Sequence, residues 1–147
     1  MRRRALLIAT PFALAVFAPA TGFAQSAPAE LRWTRIPAAE LERYEAAIGG
    51  VRVNNLAVDI ESGTDPTGPA TAHEFSVSVA NRGADWRHVL VQLVGARADG
   101  TPTLSALAEA DVEPRRNESL RVRFHAAEDE MKQTAVFHLR VLTLPRD

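Results

Sequence analysis

The sequence predicts an all-β protein, an antiparallel β-sandwich of six or seven strands with one short N-terminal amphipathic helix. Three observations carry this. From Val51 onward, apolar residues recur every second position in short runs, such as Phe75, Val77 and Val79 or Leu120, Val122 and Phe124. The runs are separated by turn formers, among them Asn81-Arg82-Gly83 and Asp99-Gly100. No helical segment repeats between them, as a parallel α/β fold would require.

The 147-residue chain begins with Arg2, Arg3 and Arg4, then an apolar run to about Phe17, then small residues up to Ala24. This is the layout of a secretory signal peptide, expected over residues 1–24, and the run falls short of the roughly 20 residues of a membrane span. The export route, general or twin-arginine, stays open. Cleavage after Ala24 removes three arginines and no acid, so 17 basic residues become 14 against 18 acidic ones and the net charge moves from −1 to −4. An acidic mature chain lacks the basic footprint that nucleic acid or an anionic membrane demands. No Cys is present, so neither a disulfide nor a thiol nucleophile is available. A periplasmic or secreted location follows as the expectation, with no membrane span left after cleavage.

Residues 25–50 read as a strand and helix extension packed on the domain of residues 51–147. Leu31 to Ile36 alternates, and Pro37 then presets φ for a helix start. Leu41, Tyr44 and Ile48 fall on one helical face, with Gly49-Gly50 as the stop. In the next strand Val51 and Val53 differ in parity from Leu56 and Val58, which predicts a bulge at Asn54-Asn55. Ser62 to Ala72 reads as a loop. The strand Phe75 to Val79 is expected to form a hairpin with Trp86 to Arg97 through Asn81–Asp85, setting Asn81 opposite Trp86. Apolar on both parities from Val89 to Val94, that second strand is expected to be central and covered on both faces. Asp99-Gly100 marks another hairpin. Thr103 to Asp111 fits a strand with Leu104, Ala106 and Ala108 inward, or a helix. Two alternating strands, Leu120 to His125 and Phe137 to Val141, flank a loop with room for one helical turn. The core is expected to comprise Phe75, Val77, Val79, Val89, Val91, Leu93, Leu120, Val122, Phe124, Phe137, Leu139 and Val141.

Asn81, the Val-rich stretch Val89 to Leu93, Asp99-Gly100 and Glu113-Pro114 together resemble bacterial immunoglobulin-like modules of the F-x-L-Y-D and fibronectin type over residues 73–144. Two departures stand out: Leu93-Val94-Gly95-Ala96 occupies the aromatic-Asp position, and Arg115 follows Pro114 where Gly is usual. The resemblance implies an immunoglobulin-like sandwich. Such modules share no active site, so it implies no functional residue.

Chemistry is sparse. No Gly-x-Ser-x-Gly elbow, phosphate-binding glycine loop or His-Glu-x-x-His occurs. The expected hairpin would hold His73 and His88 roughly 20 Å apart. His125 and His138 lack zinc-ligand spacing. Neither an enzyme, a cofactor nor a metal site is expected. The most site-like feature arises if Leu120 opposes Leu139 and Val122 opposes Phe137. Arg121, Arg123, His138 and Arg140 would then share one sheet face, able to hold an anion or a partner's acidic surface. Trp33 and Trp86 are expected in the core. The functional expectation is a non-catalytic module with a protein partner in the cell envelope, the alternative being a small anionic-ligand or metal-binding protein using that Arg/His face.

Overall fold

In a computed structural model, residues 27–60 and 71–146 are described. The expected signal peptide and positions 62–70 of the expected loop lie outside them. Among the described residues eight strands, one more than the upper expectation, form two four-stranded antiparallel sheets. They are β1 (Ala29–Pro37), β2 (Ala46–Ile48), β3 (Val51–Ile60), β4 (Thr71–Asn81), β5 (Arg87–Ala96), β6 (Pro102–Val112), β7 (Asn117–Ala126) and β8 (Val136–Pro145). Sheet 1 has the order β1-β8-β5-β6 and sheet 2 the order β2-β3-β4-β7. Ala29 to Ile48 is thus hydrogen-bonded into both sheets.

The predicted short N-terminal helix is present as a 3₁₀ helix, Ala38–Arg43, which ends before Tyr44 and is followed by β2. Gly49 and Gly50, at φ 53 and 80, form the two-residue hairpin turn joining β2 to β3 rather than a helix stop. Leu41 is still buried, and Tyr44 and Ile48 pack at the edge of the core. Once Ile48 pairs with Val51, a strand ladder satisfies backbone groups that the helix would have satisfied within itself. The bulge in β3 falls where the parity change puts it, between Asn54 and Ala57, with Asn55 at φ 52. Thr103 to Asp111 is strand, and Glu128–Lys132 forms a short helix, α1.

Asn81–Asp85 is not a hairpin. β4 pairs with β3 and β7, whereas β5 pairs with β6 and β8, so the segment carries the chain from sheet 2 to sheet 1. Asn81 is wholly buried there: its Nδ2 donates to the carbonyls of Asp85 (2.8 Å) and Val112 (3.0 Å), and its Oδ1 accepts from the Gly83 N–H (3.0 Å). The core between the sheets holds Phe75, Val77, Val79, Val89, Val91, Leu93, Leu139 and Val141 at 0–1 % exposure, with Phe137 at 6 %. Leu120, Val122 and Phe124 point the same way yet are only half-buried, because β7 is an edge strand.

Candidate functional site

The expected Arg/His face is not assembled. Arg121 and Arg123 lie on β7 opposite Ser76 and Glu74 of sheet 2. His138 and Arg140 lie on β8 opposite Val94 and Gln92 of sheet 1. β7 and β8 belong to different sheets, so their outward residues point away from the molecule on opposite sides. Each group has local company: Arg121 faces Glu74 at 3.5 Å, and Arg140 Nε donates to Glu30 Oε1 at 2.7 Å. A single anion cannot bridge the four.

What the outer faces offer instead is contrast. On sheet 2 the outward positions are polar or small: Arg52, Asn54 and Asp59 on β3, Glu74, Ser76, Ser78 and Ala80 on β4, and Asn117, Ser119, Arg121 and Arg123 on β7. The short side chains of β4 leave a groove of about 300 Å³ between the longer residues of its neighbours, bordered by Arg52, Asn54, Asn117 and Ser119. This is the surface an antiparallel sheet ordinarily shows to water.

On sheet 1 the outward positions carry Leu90 and Val94 on β5, Leu107 on β6, and Leu142 and Leu144 on β8. Leu90 lies beside Leu142, and Gln92 separates Leu107 from Arg140. A hollow of about 140 Å³ opens among Leu90, Leu107, Leu142, Gln92 and Arg140. Leu107 is 49 % exposed. A β1 bulge sets Arg32 and Trp33 together against Arg140, and Trp33 stands 48 % exposed there. Trp86 is 42 % exposed, so neither tryptophan is a core residue. Trp33 lies within the β1 bulge and Trp86 just before the start of β5, where an aromatic has fewer sheet neighbours.

This leucine face went unrecognised in the sequence although its signal was visible. The two-parity apolar run of β5 implied burial on both faces, but the outward parity is only half-buried. At one end of the face His88 Nδ1 lies 2.8 Å from Asp111 Oδ1, and Arg146 pairs with the other carboxylate oxygen. The trio ties β5, β6 and Arg146 together. His73 is buried within the other end of the sandwich, its ring stacked on Phe124 at 5.4 Å with both nitrogens lacking hydrogen-bond partners. Among the described residues no group of three His, Cys, Asp or Glu side chains is placed to hold a metal ion, and no helix is long and apolar enough to cross a membrane. Compared with family models, curated proteins and solved structures, the chain matches none.

Proposed function

We propose that this protein is an exported, non-catalytic interaction module of the cell envelope, docking to a protein partner through the outer face of sheet 1. The observation that carries the reading is the asymmetry of the sandwich. One outer face is polar, while the other presents Leu90, Leu107, Leu142 and Leu144, bordered by Gln92 and Arg140. Contiguous exposed apolar surface rimmed by polar groups is characteristic of association sites. An interface of that kind takes its affinity from the desolvated apolar centre and its orientation from the rim. The Arg140–Glu30 and His88–Asp111 pairs supply such a rim.

The immunoglobulin-like assignment belongs to the same proposal. It is supported by the exchange of consecutive strands between sheets: β4 pairs with β7 in one and β5 with β8 in the other. β1 then takes the position beside β8 that a final strand occupies in that fold. Export is supported by the tripartite N-terminus, and the net charge of −4 after cleavage disfavours nucleic acid.

Photocrosslinking in the exporting cell tests the reading. Benzoylphenylalanine at Leu107 should yield a light-dependent adduct with an envelope protein, whereas the same group at Arg52, an outward position of β3 on sheet 2, should not. Equal adducts from both positions, or none from Leu107, would reject the docking face. Recovery of the uncleaved chain in the cytoplasm would reject export.

A further inference from the structure

Among the described residues each sheet ends in two edge strands, and three of these four edges carry a steric obstacle to another strand. β2 has three residues. β1 is broken by the bulge between Leu31 and Thr34 and ends in Pro37. β6 begins with Pro102, and its pairing slips at Gly95/Ala96. Among the described residues β7 meets no such obstacle: from Asn117 to Ala126 it runs in unbroken register against β4, without Pro or bulge. Proteins commonly blunt long straight edges by shortness, Pro, bulges or charge. Here only charge is used.

The unpaired side of β7 can be assigned residue by residue. The Asn81 N–H donates to the Arg116 carbonyl at 2.9 Å. Antiparallel pairs alternate in their hydrogen bonding. Val79/Glu118, Val77/Leu120 and Phe75/Val122 therefore bond within the sheet, and the backbone groups of Asn117, Ser119, Arg121 and Arg123 point to the open side. Along that same edge the inward row, Leu120, Val122 and Phe124, is half-buried. The outward row includes Arg121, 3.5 Å from Glu74 on its β4 side yet still 69 % exposed, with Arg123 and His125 beyond it.

We propose that β7 accepts an added strand from a partner: an extended segment with apolar residues at alternate positions and Asp or Glu between them. The apolar residues would cover Leu120, Val122 and Phe124, and the carboxylates would lie opposite the Arg121/Arg123 row. The charge that guards this edge also selects what passes. An antiparallel β7 from a second copy sets arginine against arginine. β6 from a second copy carries its acids only at Glu109 and Asp111 and would set the exposed Leu107 in the row that faces Arg121 and Arg123. An acidic, amphipathic strand meets neither obstacle.

The test titrates the ¹⁵N-labelled full chain with a capped peptide alternating Val and Glu, and in parallel with one alternating Val and Lys. The Val-Glu peptide should bind at least about fivefold more tightly, a ratio within reach of a few cross-strand charge pairs. It should slow amide exchange at Ser119 and Arg121. Arg121→Glu should reverse the preference. Ser119→Pro removes an N–H aimed at the open side and keeps the β4 ladder, so binding should fall about tenfold or more at unchanged melting temperature. Equal binding of the two peptides, protection on β6 instead, no binding at millimolar peptide, or self-assembly of the chain through β7 would each overturn the proposal. Should Ser119→Pro unfold, the Arg121→Glu reversal still decides. Leu107→Ser should leave peptide binding unchanged, so this edge and the sheet 1 face stand or fall separately.

Discussion

The side chain of Asn81 donates from Nδ2 to the Val112 carbonyl at 3.0 Å, fastening the last residue of β4 to the last residue of β6. Because the same amide also holds Asp85 and Gly83, one buried residue fixes both the crossover between sheets and the approach of the β6–β7 connection. Asn81→Leu would leave the Val112 carbonyl and the Gly83 amide without these partners. Unsatisfied buried groups cost about 1–3 kcal/mol each, and water can reach part of this loop, so the expected loss is about 2–4 kcal/mol in urea denaturation. A loss below about 1 kcal/mol would show that the crossover is held by other contacts.

Pro114 and Arg115 occupy the centre of a turn closed by the Arg116 N–H donating to the Glu113 carbonyl at 3.2 Å. Arg115 sits at φ 60, the left-handed region that a side chain disfavours. The sequence already marked this place, where the resembled modules use Gly. Arg115→Gly removes the strain but loosens the unfolded chain, for a net gain of about 0.5–1 kcal/mol. A midpoint that falls instead of rising would show that the Arg115 side chain contributes contacts outweighing its strain.

Asp99 closes the β5–β6 hairpin by accepting the Thr101 N–H at 2.9 Å. That backbone hydrogen bond, helped by the Thr101 hydroxyl and by Arg97, holds its carboxyl below the usual aspartate range. Since the folded state favours the ionised form, its contribution is full above the unfolded value and disappears as pH falls through the lowered one. Carbon-detected NMR should give Asp99 a midpoint below that of an unstructured aspartate, and the Thr101 amide resonance should move with it. A midpoint at or above the ordinary value would mean that the hairpin does not form this contact in solution.

Inward and outward assignments were legible because they depend only on period-two alternation: Phe75, Val77, Val91 and Leu139 are buried as their parity requires. Strand partnership was not legible. Asn81–Asp85 has a hairpin's length and a hairpin's glycine, but whether β4 next meets β5 or β7 depends on long-range pairing that no local pattern encodes. A separate assumed pairing, Leu120 opposite Leu139, produced the false unity of Arg121 with His138 in the same way, since β7 pairs with β4 and β8 with β5. The leucine face escaped for a related reason, since apolar residues on both parities of β5 look alike whether a second layer or a partner covers them.

The edge position of β7 carries its own energetic signature. Val91 on central β5 and Val122 on β7 both face the core, but Val91 is wholly buried and Val122 only half so. Fully burying a valine contributes about 1.5–3 kcal/mol, and truncation in a closed core adds a cavity that neighbours cannot fill. At the open edge, the space left by Val122→Ala is reached by water and leaves no enclosed void. Val91→Ala should therefore cost about 2–3 kcal/mol and Val122→Ala about 1 kcal/mol in denaturant titrations at neutral pH. With the Val-Glu peptide bound, the added strand covers the row, and Val122→Ala should then weaken peptide binding while Val91→Ala should not. Equal stability losses for the two variants in the free protein would mean that β7 is already covered in solution, leaving no edge for another strand to join.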